Sequence, residues 1–238
     1  MLQWPAVKSA GVFMAEIVGE SVVVSIDHSH QIEADLTVPD RATGIIVFAH
    51  GSGSSRFSSR NRATAEALQQ RGFATLVLDL LTKQEEAFDM HTREFRFDVE
   101  RLGRRVVAAI DWLRRRDDLL RLVPGCFGAS TGAAAALIAA ANRPSEIRAV
   151  VSRGGRPDLA GKALARVAAP TLLIVGGYDE PVIELNEQAK AMMTSAPVEL
   201  SVVPGASHLF EEPGALEEVD RLAAGWFARY LKPPASRV

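Results

Sequence analysis

The sequence predicts an α/β fold: a doubly wound, mostly parallel sheet of about eight strands with helices on both faces. Three observations indicate this fold class. Short runs rich in Val, Ile and Leu recur along the chain, helix-period segments separate them, and no Pro/Gly/Ser-rich linker or internal repeat interrupts the alternation. A chain of 238 residues is long enough for one large domain of this kind or two small ones, and we expect one.

The predicted strands begin with an antiparallel hairpin. The segments EIVGESVVVSI and QIEADLTV alternate apolar and polar residues around the turn DHSH. Six later runs are continuously apolar, which is typical of parallel strands covered on both faces; they are GIIVFAH, ATLVLDL, LVPGCF, IRAVVS, TLLIVGG and VELSVV.

Helices are predicted between the parallel strands. Residues 61–71 and 98–116 have the helical period, and the second of these keeps an apolar face opposite a charged one. The segment TGAAAALIAAAN is apolar almost all round, which predicts a helix buried against the sheet. Residues 183–194 and 215–230 supply two further helices.

Two segments fall outside this pattern. We expect residues 1–15 to be a poorly structured N-terminal extension, with Met14 as an alternative start, and residues 16–238 to form the domain. Residues 81–97 match neither the strand nor the helix pattern, so they predict a short lid.

Composition and charge exclude several classes of protein. A net charge of −2 gives no global field for nucleic acid, and no apolar run approaches the ~18 residues that a membrane span needs. The start has no signal-peptide pattern, and one cysteine forms no internal disulfide. The five histidines are scattered and show no zinc-like spacing, so we expect no metal and no cofactor. These observations favour a cytoplasmic protein that binds neither nucleic acid nor a membrane.

A candidate nucleophile lies in GCFGASTGAAAA, residues 125–136. The pattern Gly128-Ala129-Ser130-Thr131-Gly132 matches G-x-S-x-G between an apolar strand and a helix, where a sharp turn exposes the serine. The alternatives are a tight turn that only caps the helix, and a reactive Cys126. Because Cys126 lies within the strand, we expect it to be buried, with a raised pKa, and inert.

A histidine and a carboxylate complete the predicted catalytic set. Open α/β sheets bind ligands at the carboxyl ends of their strands, where Ser130 follows the fifth predicted strand, Asp179 the seventh and His208 the eighth. Ser130 would be the nucleophile, His208 its base, and Asp179 the acid that orients His208. Glu180 is the neighbouring alternative acid, and Asp79 a weaker one because the chain order would differ.

The loop AHGSGSSRF predicts the rest of the site. We expect the backbone amides of Ser52 and Thr131 to form an oxyanion hole, and His50 to orient the loop. Read alone, GSGSS could be a phosphate cradle, but it lacks the Lys-Ser/Thr ending of a P-loop.

Arginines border the predicted site as well. Arg56 and Arg60 follow the HGSG loop, and Arg153 and Arg156 follow the sixth strand. Arg56 and Arg153 are candidates for binding an anionic group of the substrate, since guanidinium forks suit planar anions. The alternative is that these arginines only pair with surface acids.

The HGSG loop, the GASTG turn, the GGYD acid and the GASH histidine together resemble the α/β-hydrolase family over residues 16–232. The compact size is similar to its dienelactone-hydrolase-like branch. The resemblance implies hydrolysis of carboxylic esters through an acyl-enzyme without a cofactor. Dienelactone hydrolases proper carry cysteine at the turn, whereas this chain has Ser130, which favours simple esters over dienelactone.

Three functions therefore follow from the sequence. The first is a serine esterase acting on a small-molecule ester. The second is a thioesterase, acyltransferase or lactone hydrolase that uses the same residues. The third is a non-catalytic binding protein with a hydrolase fold. Acyl and alcohol specificity and oligomeric state do not follow from the sequence.

Overall fold

The structure is a computed structural model that describes residues 17–232, so the predicted extension 1–15 lies outside the described residues. One sheet of eight strands organises the chain. The strands, in chain order, are β1 (Ile17–Ser25), β2 (Gln31–Pro39), β3 (Gly44–Ala49), β4 (Phe73–Leu78), β5 (Val123–Ala129), β6 (Val150–Arg153), β7 (Thr171–Gly176) and β8 (Val198–Val203).

Six α-helices join or follow these strands in the described part of the chain. They are α1 (Ser59–Gln69), α2 (Lys83–Thr92), α3 (Val99–Leu113), α4 (Thr131–Asn142), α5 (Glu180–Met192) and α6 (Ala215–Tyr230). Two 3-10 segments lie at Phe95–Phe97 and Pro157–Arg166, the second of which the sequence did not predict. The predicted lid segment is therefore helical over most of its length.

The sheet has the spatial order β1-β2-β4-β3-β5-β6-β7-β8. β1 pairs antiparallel with β2, and β2 pairs antiparallel with β4. Every pair from β4 to β8 is parallel, so the carboxyl ends of these strands lie along one edge of the sheet. The predicted fold class is confirmed.

Helices cover the sheet on both faces because neighbouring residues of a strand point to opposite sides. In β3, Val47 packs on the side of α3, α4 and α5, whereas Phe48 packs on the side of α1 and α6. The ring of Phe48 stacks on Phe127 of β5 with a centroid distance of 4.9 Å. All residues of α4 from Thr131 to Ala141 are buried, as its apolar sequence predicted.

The prediction that all six apolar runs are covered on both faces is wrong for VELSVV. β8 is an edge strand with only one neighbour, and Val202 remains 41% exposed. Glu199 of this strand is exposed as well, whereas Val203 is buried.

Within residues 17–232, no helix is long and apolar enough to cross a membrane.

Candidate active site

The functional side chains follow the carboxyl ends of the parallel strands. The loop 50–54 follows β3, Ser130 follows β5, Arg153 ends β6, Asp179 lies just beyond β7, and His208 lies in the loop after β8. Since these ends share one edge of the sheet, residues far apart in sequence meet there.

Ser130 occupies a sharp turn between β5 and α4. Its backbone has φ 52° and ψ −122°, a left-handed conformation that is rare for a residue with a side chain. Its amide donates to the carbonyl of Arg153 at 3.2 Å, and its carbonyl accepts from Arg156 at 3.0 Å. Backbone hydrogen bonds to the β6 end therefore hold this strained residue in place.

Two glycines make the turn possible. A Cβ on Gly128 would lie 2.5 Å from Cα of Ala133, and a Cβ on Gly132 would collide with the carbonyl of Ala49 and lie 2.5 Å from that of His50. The helix α4 thus begins against the backbone of the β3 loop, and no other side chain fits at either glycine.

His208 and Asp179 form a hydrogen-bonded pair. Nδ1 of His208 lies 2.5 Å from Oδ2 of Asp179, whose side chain is 15% exposed while that of His208 is 39% exposed. The carboxylate occupies Nδ1, which leaves Nε2 as the nitrogen available to a substrate or to Ser130. The loops that carry the pair are joined by a hydrogen bond from the Tyr178 amide to the carbonyl of Ala206 at 2.9 Å.

Ser130 and His208 line the same cavity, of about 220 Å³. No hydrogen bond joins their side chains in the described structure. Catalytic hydrogen bonds are often long in the absence of substrate and shorten when it binds.

The β3 loop lies beside Ser130. Ser52 Oγ is 3.3 Å from Thr131 Oγ1, so the two predicted oxyanion residues meet across the site. The backbone amides of Ser52 and Thr131 donate to no acceptor among residues 17–232. Thr131 is also the first residue of α4, where the helix dipole favours negative charge.

His50 holds this loop in place. Its Nε2 accepts a hydrogen bond from the Leu80 amide at 3.1 Å, and Nδ1 lies 2.8 Å from the carbonyl of Gly51. Accepting at Nε2 makes Nδ1 the protonated nitrogen, so the ring is neutral. Burial also lowers its pKa. These contacts indicate a structural role for His50.

Arg56 lies away from Ser130 and does not line the 220 Å³ cavity. Its guanidinium bonds to Asp79 and lies 2.6 Å from Glu33, with Asp35 at 3.6 Å. The guanidinium of Arg56 is thus engaged by three carboxylates, so the structure argues against a substrate-binding role for Arg56. Asp79, the weaker alternative for the catalytic acid, is ion-paired with Arg56.

Arg153 does line the cavity. Its side chain lies among buried residues, and Nη2 donates to Oδ1 of Asn61 at 3.0 Å. Sequence reasoning missed Asn61, which is 1% exposed. The sequence did contain a signal for Asn61: together with Thr64, Ala65 and Leu68, it follows the helical period that defines the inner face of α1.

Cys126 lies in the core of β5. It is fully buried, and burial raises the pKa of its thiol to about 12. A thiol in that state is neither a nucleophile nor a metal ligand at neutral pH. In the described structure, no group of three or more His, Cys, Asp or Glu side chains could hold a metal ion.

The segment 83–97 lies beside the β3 loop rather than over Ser130. Gly53 approaches the guanidinium of Arg96, and a second cavity of about 330 Å³ lies between the loop and α2. Asp89 fastens this segment by accepting from the amides of Phe95 and Arg96 and from Arg96 Nε. That it closes over bound substrate stays a prediction.

The sheet order and the strained serine turn at the head of a helix define an α/β hydrolase. The family model of dienelactone hydrolases matches residues 32–230, and the chain therefore belongs to the dienelactone hydrolase family. The resemblance read from the motifs is confirmed at this level.

Solved structures agree with this family. A dienelactone hydrolase from Anabaena variabilis is 55% identical, with a TM-score of 0.88 over 91% of this chain and 99% of that one. An alpha-beta serine hydrolase homologue from Coxiella burnetii, at 21% identity, shares the fold with a TM-score of 0.70 over 87% of this chain and 96% of that one.

Curated relatives carry a different name. Two proteins from Mycobacterium tuberculosis strains, provisionally named phosphoribosyl transferases, are 55% identical over 203 residues. The match covers 85% of this chain but only 45% of each relative, so the chain spans about half their length.

Proposed function

We propose that this hydrolase cleaves carboxylic esters of small substrates through an acyl-enzyme formed on Ser130. The observation that carries the proposal is the combination of a strained serine with a His208–Asp179 pair on one cavity. The cavity of about 220 Å³ favours short substrates.

The proposed first step is attack of Ser130 Oγ on the acyl carbon. His208 Nε2 takes the hydroxyl proton as the new C–O bond forms, and Asp179 stabilises the resulting imidazolium through Nδ1. The carbonyl oxygen becomes an oxyanion that accepts hydrogen bonds from the amides of Ser52 and Thr131. When the ester C–O bond breaks, His208 returns the proton to the departing alcohol.

Water completes the cycle by the same route. His208 removes a proton from a water molecule as it attacks the acyl-enzyme, and the proton then goes to Ser130 Oγ as the acid leaves. No cofactor enters either half of this scheme.

The first test is hydrolysis of short p-nitrophenyl esters by the wild type and Ser130→Ala. Loss of a triad member lowers kcat by up to about 10⁶-fold elsewhere, so activity of Ser130→Ala should be near background. Activity within tenfold of wild type would refute the proposal. If a fluorophosphonate does not label Ser130 of the wild type, the result would instead favour a non-catalytic binding protein.

Asp179→Asn and Glu180→Gln form a matched pair for the acid. The amide at 179 cannot stabilise the imidazolium, so we expect kcat to fall by about 10³–10⁴-fold, whereas Glu180→Gln should change it little. The reverse pattern would assign the acid to Glu180.

A lactone is the second candidate substrate, favoured by the name of the Anabaena variabilis relative. The same residues would open a lactone ring, with the alcohol remaining part of the product. A screen across ester chain lengths, lactones and thioesters separates these substrates. The transferase name carries no assignment, because more than half of each mycobacterial relative lies outside the match.

A further inference from the structure

Positively charged side chains line the cavity at Ser130. Two arginines line it, Arg153 and Arg60, together with the polar side chains of Asn61, Ser54 and Ser58. No acidic side chain lines it in the described part of the chain. A substrate that enters this cavity therefore meets cations on the side facing α1.

Arg153 is the more unusual of the two cations. It is 7% exposed and makes no ion pair within residues 17–232. Nη2 donates to the neutral Asn61, and Nη1 has no partner in the described structure. An uncompensated buried cation is strongly unfavourable, so its retention in a cavity needs a reason.

Arg105 shows how the charge of a buried arginine is ordinarily compensated. It is buried to the same extent, at 6% exposed, but its Nη2 lies 2.6 Å from Oε1 of Glu85. A buried arginine away from the cavity is therefore paired with a carboxylate, whereas Arg153 on the cavity is not.

Asp220, the acid whose charge acts on Arg153, is a poor counter-ion. Asp220 of α6 influences Arg153 without forming an ion pair, and burial raises the pKa of its own carboxyl group. Burial and the charge of Arg60 lower the pKa of Arg153 to about 10. Arg153 consequently remains a cation at neutral pH and lacks a strong internal partner.

The N-terminus of α1 adds to this field. Ser58 caps this helix of eleven residues, and its Oγ accepts from the Asn61 amide at 3.4 Å. The amides of Ser59 and Arg60 donate to no acceptor in the described structure. Free amides and the helix dipole at an N-terminus bind phosphate groups well. This feature and the unpaired Arg153 are independent observations on one cavity.

Arg60 bridges this region to the histidine loop. Its guanidinium lies 3.0 Å from Glu211, and the side chains of Arg60 and Glu211 are 35% and 63% exposed. An exposed ion pair of this kind is weak, so Arg60 can turn towards a bound anion at little cost.

We propose that Arg153, Arg60 and the N-terminus of α1 bind a phosphate monoester on the substrate, so that the preferred substrate is a short phosphorylated ester. Two guanidinium groups and a helix N-terminus on one small cavity suit a tetrahedral dianion better than a single planar carboxylate. This inference rests on the proposed ester hydrolysis for its substrate, but the anion site can be measured without it.

Titration of the folded protein with inorganic phosphate tests the site directly by calorimetry. Wild type should bind phosphate, Arg153→Met should weaken binding by about 10–100-fold, and Arg60→Gln by about 3–10-fold, as expected for lost charge-assisted hydrogen bonds. Arg60→Gln changes a partly exposed side chain and should fold normally, which keeps the test valid if Arg153→Met does not.

Arg62→Gln is the matched control. Arg62 lies on the same helix, pairs with Asp35 at 2.9 Å and does not line the cavity. Its removal takes away the same charge, so phosphate binding should change less than about twofold if only local contacts matter. Equal weakening of phosphate binding by Arg62→Gln and by the other two variants is the result for an adventitious ion only, and it would overturn the site.

Kinetics with matched esters tests the substrate class. We compare 2-acetoxyethyl phosphate with 3-acetoxypropanoate and the neutral 2-methoxyethyl acetate. The wild-type kcat/KM ratio of phosphate to neutral ester should exceed about tenfold, and Arg153→Met should remove most of that preference. Equal preference for carboxylate, or none for phosphate, would overturn the proposal. Phosphate binding without hydrolysis of any ester would refute the proposed function and leave the anion site standing.

Discussion

At Ser130 the backbone carries information that the side chain alone does not. A non-glycine residue at φ 52° is strained by about 1–3 kcal/mol, and the protein maintains this strain through hydrogen bonds to the end of β6. The strain lifts the hydroxyl out of the sheet and onto the cavity that His208 also lines. A serine that only capped a helix would need no such conformation.

The reactivity of the Cys126 thiol gives a prediction for a single residue. Because burial raises its pKa to about 12, we expect no alkylation by iodoacetamide at pH 8 in the native protein and full alkylation in denaturant. Cys126→Ala should leave ester hydrolysis intact. Rapid alkylation of the native protein together with loss of activity would contradict the inert assignment.

Two glycines on helices give opposite predictions at the scale of the element. Gly132→Ala forces a Cβ against the carbonyls of Ala49 and His50, so it should destabilise by more than about 3 kcal/mol or displace the β3 loop. Gly225→Ala adds a methyl group with nothing within 4 Å, in the interior of α6. It should stabilise by about 0.5–1 kcal/mol. Urea unfolding measures both, and equal effects would contradict the packing at α4.

The α2 segment depends on Asp89. Asp89→Asn removes the charge that accepts from Arg96 Nε at 2.5 Å, so the free energy of unfolding should fall by about 1–3 kcal/mol. Hydrogen exchange should also quicken within residues 83–98. The control Asp117→Asn changes an exposed carboxylate and should have no such effect. Unchanged exchange in this segment would show that Asp89 does not fasten it.

The same residue predicts a pH dependence. Burial alone would raise the pKa of Asp89, but hydrogen bonds from Arg96 and the backbone hold that pKa below 3.8. A lowered carboxyl pKa stabilises the fold above the ordinary value, and this stabilisation is lost as the pH falls through the folded value. The difference in free energy of unfolding between wild type and Asp89→Asn should therefore become smaller below about pH 4 and stay constant above about pH 6.

At the scale of the whole molecule, hydrophobic patterning predicted the sheet and its flanking helices. Continuous apolar runs indicated the buried strands, and the alanine run indicated α4, because segments buried in or against the sheet have an apolar composition that is visible in the sequence. VELSVV misled because an apolar composition does not reveal whether a strand lies at the sheet edge. Residues 81–97 gave no helical period because α2 is mostly exposed and is fastened by polar contacts at Asp89.

The candidate site was partly predictable for the same reason. Ser130, Asp179 and His208 each follow an apolar run, and parallel strands bring those ends together. Arg56 and Arg153 looked equivalent in sequence, yet Arg56 lies close to three carboxylates, whereas Arg153 forms no ion pair within residues 17–232. That difference depends on contacts between segments distant in the chain, which local pattern does not encode.

The mass of the intact protein after treatment with a fluorophosphonate tests directly whether Ser130 is the nucleophile. We expect one adduct per wild-type chain, located at Ser130 by peptide mapping, and none on Ser130→Ala. His208→Ala should label far more slowly, because no base then takes the serine proton. An unlabelled wild type, or an adduct that persists on Ser130→Ala, would contradict the assignment of Ser130 as the nucleophile.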